Sequence, residues 1–109
     1  MIAQRHAAVI KLRPEREQEY RQLHAEVWPD VLAALRRAHV SNYSIFLRDE
    51  HLFSYLEYAG DNFAADMESV ANDPATQRWW RLTAPCQMQL PGGTTDEWWS
   101  PAEELFHLD

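Results

Sequence analysis

Residues 41–59, SNYSIFLRDEHLFSYLEYA, carry large apolar side chains on both faces of a predicted β-hairpin. The turn Arg48-Asp49-Glu50-His51 separates two strand-like segments, in which side chains alternate between the faces. In the first segment Tyr43, Ile45 and Leu47 oppose Ser44 and Phe46, and in the second Leu52, Leu56 and Tyr58 oppose Phe53 and Tyr55. A sheet that packs on one side only does not need apolar groups on both faces. The fold therefore has to cover this sheet on both sides.

The segment before the hairpin predicts a strand and a broken helix. Residues 4–12 (QRHAAVIKL) are β-branched and partly alternating, which favours a strand. Pro14 suits the first turn of a helix, and Arg36-Arg37 complement the negative end of the helix dipole. Pro29 cannot donate to the carbonyl of Ala25, so the helix should kink or break there. The apolar face of this helix comprises Tyr20, Leu23, Val27, Val31 and Leu35.

The segment after the hairpin predicts two helical pieces and a last strand. Asp61 or Asn62 should cap the first piece. Asp73-Pro74 should start the second, which contains QRWWRL and ends before Pro85. A loop containing Pro91-Gly92-Gly93 then leads to EELFHL, which is typical of a short final strand. The apolar face of the first piece comprises Phe63, Met67 and Val70.

The element order β-α-β-β-α-β predicts an α+β fold, the ferredoxin-like split βαβ sandwich, over one domain of residues 1–109. Helices then cover one face of an antiparallel sheet. The other face is also apolar, and the sheet of a second copy is the simplest cover for it. We therefore expect a homodimer packed sheet against sheet.

The net charge, the single cysteine and the N-terminal segment limit the partners and the cellular location that we expect. A net charge of −7 opposes binding to nucleic acid, which needs clustered Lys and Arg. The single cysteine, Cys86, excludes an internal disulfide and fits a reducing compartment. Arg5 and His6 stand where a signal peptide needs its apolar core, and no run approaches the roughly 18 apolar residues of a membrane span. We expect a soluble cytoplasmic protein that binds neither nucleic acid nor membrane.

Familiar catalytic and metal-binding motifs are absent from the sequence. It has no glycine-rich phosphate loop, no nucleophile elbow and no HExxH. The five histidines show no paired ligand spacing, and Cys86 has no partner cysteine for a zinc site. We therefore expect no metal site.

His24 is the first candidate for chemistry, because it lies at the edge of the apolar face of the first helix. Tyr20, His24 and Trp28 are spaced by four residues and line one side of the helix if it continues that far. A lone histidine on an apolar face is more often a core residue whose nitrogens bond to the backbone. Here, however, Leu23 and Val27 already supply the core stripe. Both interpretations stay open on this pattern.

Aromatic residues form the second candidate group. Trp79 and Trp80 point about 100° apart on a helix, so either one indole walls a pocket or both bury against the sheet edge. Indole faces suit the C–H patches of a sugar, and the hydroxyls of Tyr20 and Tyr43 suit its directional hydrogen bonds. A histidine such as His24 exchanges protons near neutral pH. The residues predict a small polar ligand and allow acid–base chemistry.

The same residues resemble the L-rhamnose mutarotase family, and the resemblance extends along nearly the whole chain. It is carried by the segments EYRQLHAEVWPDVL, NYSIFL, LFSYLEY, QRWW and EELFHLD, in this order and spacing. The resemblance implies a homodimer of the dimeric αβ-barrel type that interconverts the α and β anomers of L-rhamnose, or of a related 6-deoxy sugar, without a cofactor. It also implies that His24 is the catalytic proton donor. The implied sugar-binding residues are Tyr20, Tyr43, Trp79 and Trp80.

Several roles stay open. Glu57 is a candidate for the catalytic base, but strand alternation places it on the face of Phe53 and Tyr55, and water is the alternative. The pair Trp98-Trp99 either closes the pocket or joins the dimer contact. Two other functions fit the same residues: a cofactor-independent monooxygenase of the dimeric αβ-barrel architecture, and a sugar-binding module without turnover.

Overall fold

The structure is a computed structural model that describes residues 3–92 and 97–109. Its strands are β1 (Gln4–Leu12), β2 (Val40–Arg48), β3 (His51–Tyr58), β4 (Gln87–Met88) and β5 (Ser100–Ala102). Its α-helices are α1 (Glu17–Ala25), α2 (Pro29–Arg37), α3 (Phe63–Asn72) and α4 (Pro74–Thr83), and 3₁₀ turns span Pro14–Arg16 and Ala84–Cys86. The predicted loop residue Gly93 lies outside the described residues.

The strands form an antiparallel sheet in the order β2-β3-β1-β4, and β5 also pairs with β1. Strands β1 and β2, which the first two helices connect, are separated by β3, so the predicted split βαβ arrangement is confirmed. In the hairpin, Asp49 and Glu50 have φ angles of 51° and 63°. Two residues of positive φ give the turn a twist that matches the flanking strands. The predicted hairpin is therefore also confirmed.

Pro29 interrupts the first helical region, as predicted. Helix α1 ends at Ala25, and Pro29 is the first residue of α2, where a missing N–H is tolerated. Trp28 is extended, with φ −60° and ψ 135°, because the proline ring disfavours a helical conformation in the residue before it. Tyr20 of α1 packs beside β1, whereas Leu23 of α1 packs with Val31 of α2.

Helices α3 and α4 each begin with a capping side chain. Asn62 Oδ1 accepts the N–H of Ala65 at 3.1 Å, so Asn62 and not Asp61 is the cap of α3. Asp73 Oδ2 accepts the N–H of Thr76 at 2.9 Å. This backbone hydrogen bond is the main reason why the pKa of Asp73 lies below its ordinary value. Both predicted helix starts are confirmed.

The helices pack on one face of the sheet. Ile10, Leu12 and Leu52 are almost fully buried there, and Tyr20 of α1 belongs to the same cluster. The opposite face carries Phe46 and Phe53, which are 61% and 41% exposed. Both faces are therefore apolar, as the alternation predicts, but the described part of the chain covers only one of them.

The predicted final strand, EELFHL, is wrong. The last strand is Ser100–Ala102, which pairs with residues 7–9 of β1, and residues 103–109 form no strand. Beyond Ala102 the side chains of Arg5 and Glu104 form an ion pair, with Nε and Oε2 2.7 Å apart. The apolar side chains of this tail are between 79% and 88% exposed: Leu105, Phe106 and Leu108. The segment therefore pairs with no strand within the described chain.

Candidate active site

Helix α1 places Tyr20 and His24 one turn apart at the edge of the core. Tyr20 is 5% exposed and packs beside Ile10 and Leu12 of β1. The centroid of its ring lies 4.2 Å from that of the His24 imidazole, and the two planes meet at 30°. His24 is half-buried. The imidazole thus lies beside the apolar core and not fully within it.

One nitrogen of His24 is held by the helix itself. Nδ1 lies 2.9 Å from the main-chain oxygen of Tyr20, and a carbonyl oxygen can only accept a hydrogen bond. Nδ1 therefore carries the hydrogen of the neutral ring, and Nε2 is the nitrogen that gains or loses a proton. Within residues 3–92 and 97–109, Nε2 has no hydrogen-bond partner. The structure therefore does not show a core histidine whose two ring nitrogens both bond to the backbone.

Trp79 of α4 packs against this histidine. Its indole is 5% exposed and meets the His24 ring edge-on, at 5.4 Å between centroids and 67° between planes. On its other side it meets Trp28 at 5.2 Å and 69°. Because α1 ends at Ala25, Tyr20, His24 and Trp28 do not line one continuous helix. Trp28 instead joins the cluster through Trp79.

Tyr43 follows a β-bulge in β2. This strand has one extra residue between Ser41 and Ser44, and Asn42 there has a φ of 48°. Tyr43 is 42% exposed, but the surrounding protein raises the pKa of its phenol by desolvation. Burial likewise raises the pKa of Tyr20 to about 12, and the nearby Tyr43 adds to this increase. Both phenols therefore keep their protons at neutral pH and can act as donors.

Trp80 lies outside the packed face of α4. The buried residues of this helix are Ala75, Thr76, Trp79 and Thr83. Trp80 is 45% exposed, because adjacent helical residues point about 100° apart. The structure therefore packs the rings of Tyr20 and Trp79 against His24, whereas no ring contact joins Trp80 to this cluster within the described residues.

Gln87 joins this cluster, although no sequence pattern indicated it. It is 5% exposed, and its Nε2 donates to the Tyr20 hydroxyl at 3.2 Å. Its Oε1 accepts the indole N–H of Trp98 at 2.7 Å. A glutamine 67 positions after Tyr20, in a strand of two residues, gives no periodic signal. Trp99, in contrast, packs on the hydrophobic core beside β1, so Trp98 is the member of the pair that is linked to the site.

Glu57 lies on the opposite face of the sheet, as the alternation predicts. Its carboxylate accepts hydrogen bonds from Asn42 Nδ2 and from the Tyr55 hydroxyl, both at 2.8 Å. These bonds, with that of Asn42 the larger, hold the pKa of Glu57 below its ordinary value. A carboxylate stabilised in this way is a weak base, and no contact joins it to His24 in the described chain. Glu57 therefore lies apart from the ring cluster around His24 within the described residues.

Two surface cavities lie away from His24. One of about 390 Å³ is lined by Ala34, Arg37, Ser69, Asn72 and Asp73. The other, of about 120 Å³, is lined by Arg5, His6, Ala7, Tyr55, Ala102, Glu103 and Glu104. The candidate site is thus a cluster of packed rings and not one of these cavities.

Within the described ranges, no group of three or more His, Cys, Asp or Glu side chains could hold a metal ion, and no helix is long and apolar enough to cross a membrane.

The cluster combines a proton-transfer group with aromatic surfaces and hydroxyl donors. An imidazole can exchange protons near neutral pH, and Nδ1 is the nitrogen of His24 that bonds to the helix backbone. The fold and this cluster define a small α+β protein of the dimeric αβ-barrel type with a candidate acid–base site. Residues 5–108 match the family model for L-rhamnose mutarotase. The chain belongs to the L-rhamnose mutarotase family.

Individual relatives agree with this assignment. The chain is 35% identical to the L-rhamnose mutarotase of Burkholderia orbicola (strain MC0-3) over 102 residues, which cover 92% of this chain and 93% of that protein. It is 32% identical to the L-rhamnose mutarotase of Bacillus subtilis (strain 168) over 111 residues, which cover 96% and 98%.

Two solved structures have a similar fold, and one of them is an L-rhamnose mutarotase. The L-rhamnose mutarotase of Formosa agariphila superimposes with a TM-score of 0.76 at 28% identity, over 97% of this chain and 99% of that one. The tetracenomycin F2 cyclase of Streptomyces glaucescens superimposes with a TM-score of 0.71 at 15% identity, over 98% of both chains. The likeness to the cyclase concerns the fold alone.

Proposed function

We propose that this protein is an isomerase that interconverts the α and β anomers of L-rhamnose. Membership of the family supports the reaction and the substrate. We assign the proton donor to His24, because the bond between its Nδ1 and the Tyr20 carbonyl reserves Nε2 for proton exchange. The proposed sugar contacts are Tyr20, Tyr43, Trp79 and Trp80.

The proposed reaction opens and recloses the sugar ring. His24 Nε2 protonates the ring oxygen while a base removes the proton of the anomeric hydroxyl, so the bond from C1 to the ring oxygen breaks as a C1 carbonyl forms. Rotation about the C1–C2 bond presents the other carbonyl face, and the reverse proton transfers close the ring and restore the acid. We propose water as the base, because Glu57 lies across the sheet. Acid–base help of this kind contributes roughly 10²- to 10⁴-fold.

Exchange between the anomers of L-rhamnose tests this proposal directly. Saturation of the anomeric proton of one anomer by NMR should transfer to the other anomer faster with the protein than without it, at the same pH and buffer concentration. The related 6-deoxy sugar L-fucose, measured in parallel, reports how selective the site is. Equal L-rhamnose exchange rates with and without the protein would contradict the proposal.

We also propose a homodimer in which the sheet faces that carry Phe46 and Phe53 pack against each other. Both side chains are large, apolar and exposed on the face that the helices leave uncovered. Sedimentation at micromolar concentration should give twice the chain mass. Phe46→Lys should shift the protein to monomer, because it buries a charge in the contact. Leu82→Lys, on the exposed side of α4, is the matched control and should stay dimeric. A parent protein that sediments as a folded monomer would exclude this assembly.

The cytoplasm is the proposed location. Cys86 is a buried free thiol, and burial raises its pKa. Free thiols of this kind are compatible with a reducing compartment. Detergent-free fractionation of cells that express the protein should leave it in the supernatant.

A further inference from the structure

The hydrogen bonds around Gln87 have a fixed direction. The indole nitrogen of Trp98 can only donate, and it lies 2.7 Å from Oε1 of Gln87. The amide is therefore oriented with its NH₂ group toward Tyr20, whose hydroxyl oxygen accepts from Nε2 at 3.2 Å. The oxygen and nitrogen of a glutamine amide are otherwise easily interchanged, so Trp98 determines which of them faces Tyr20.

This direction decides what the Tyr20 hydroxyl can do. The hydroxyl has one hydrogen, and the NH₂ group of Gln87 does not accept it. Burial raises the pKa of Tyr20 to about 12, so the phenol keeps this hydrogen in neutral solution. The Tyr20 oxygen accepts a hydrogen bond from Gln87. The Tyr20 hydrogen is therefore available to donate to a different acceptor.

We propose that Gln87 is a positioning residue whose amide, oriented by Trp98, commits the Tyr20 hydroxyl to donate its hydrogen bond to an oxygen atom of the bound sugar. The proposal rests on the proposed function, in which Tyr20 contacts L-rhamnose. Every oxygen atom of a sugar can accept a hydrogen bond, so a committed donor is complementary to it. Trp98 thereby acquires a role in the site that Trp99, packed in the core, does not share.

Gln87→Glu tests the direction of these bonds. An ionised carboxylate accepts from both Trp98 and Tyr20, so it draws the Tyr20 hydrogen away from the sugar. A protonated carboxyl can again donate to Tyr20 while it accepts from Trp98. Anomer exchange by this variant should therefore be about tenfold slower than the parent at high pH, and should approach the parent as the pH falls through the pKa of the introduced carboxyl. The measured quantity is the ratio of variant rate to parent rate at each pH.

The matched control is Gln22→Glu, which adds the same charge on the exposed surface of α1. Its ratio should stay close to one at every pH. A ratio for Gln87→Glu that is equally independent of pH would overturn the proposal, because a purely structural role gives no such titration.

If the carboxylate introduced by Gln87→Glu unfolds the chain, Trp98→Phe provides a second test. It removes the indole N–H from a residue that is 44% exposed, so the fold should persist. Without this donor the Gln87 amide can reverse, and kcat/KM should fall about two- to tenfold, the worth of one neutral hydrogen bond. A parental kcat/KM in this variant would overturn the proposal.

A measurement without sugar separates this proposal from the proposed function. The side-chain amide hydrogens of Gln87 should exchange slowly with solvent in the parent and about tenfold faster in Trp98→Phe, followed by NMR. An unprotected amide in an active parent would overturn the positioning role alone. A protected amide in a parent that does not exchange the anomers would overturn the proposed function, and the sugar contact of Tyr20 with it.

Discussion

His24→Asn should slow anomer exchange roughly 10²- to 10⁴-fold, the scale of general acid–base catalysis. Asparagine keeps the polarity and approximate size of the side chain. It removes Nε2, the nitrogen that the bond between Nδ1 and the Tyr20 carbonyl leaves for proton transfer. Affinity for L-rhamnose should change little, because the aromatic contacts remain. Saturation transfer at saturating sugar measures the loss.

His39→Asn is the control for this substitution. His39 is exposed beyond the end of α2 and has a φ of 66°, a conformation that asparagine tolerates. This variant should exchange anomers at the parent rate. If His24 served only the core, its replacement would instead lower the free energy of unfolding by about 1–3 kcal/mol and leave exchange by the folded protein unchanged. Exchange rate and thermal midpoint, measured on one preparation, distinguish these outcomes.

Much of the fold could be predicted, because short-range chemistry determines it. Pro29 interrupts the first helical region whatever surrounds it, and Asn62 and Asp73 cap helices through atoms three residues away. The last strand could not be predicted in this way. EELFHL is rich in apolar residues, but a strand needs a partner, and backbone pairing with β1 ends at Ala102 within the described chain.

In the candidate site too, contacts between residues close in the sequence could be predicted, and contacts made by the tertiary structure could not. His24 and Tyr20 are one turn apart on α1, so helical spacing brought them together in the prediction. Alternation along β3 likewise placed Glu57 on the far face. Gln87 reaches Tyr20 only because β4 lies beside β1, and Trp98 reaches Gln87 from the C-terminal segment. Such contacts depend on tertiary structure and leave no local pattern.

The positions of the two adjacent indoles of α4 depend on both helical geometry and tertiary structure. Helical geometry predicts that Trp79 and Trp80 diverge, and the structure shows which one turns inward. Trp79 packs against His24, Trp28 and the apolar side chain of Val31. A change at Trp79 should therefore act on stability and on the site together, whereas a change at Trp80 should act on the ligand alone.

Trp79→Ala should lower the free energy of unfolding by about 3–5 kcal/mol, because it empties a buried indole site between α1, α2 and α4. Trp80→Ala should lower it by less than about 1 kcal/mol, because the indole is 45% exposed. It should instead weaken L-rhamnose binding about two- to tenfold, since it removes one aromatic face from the sugar. Denaturant unfolding measures the first effect, and tryptophan fluorescence during sugar titration measures the second. The chain has five tryptophans, so the sugar-induced fluorescence change must be compared between parent and each variant. Parental affinity in Trp80→Ala would exclude this indole from the sugar site, and parental stability in Trp79→Ala would contradict its place in the core.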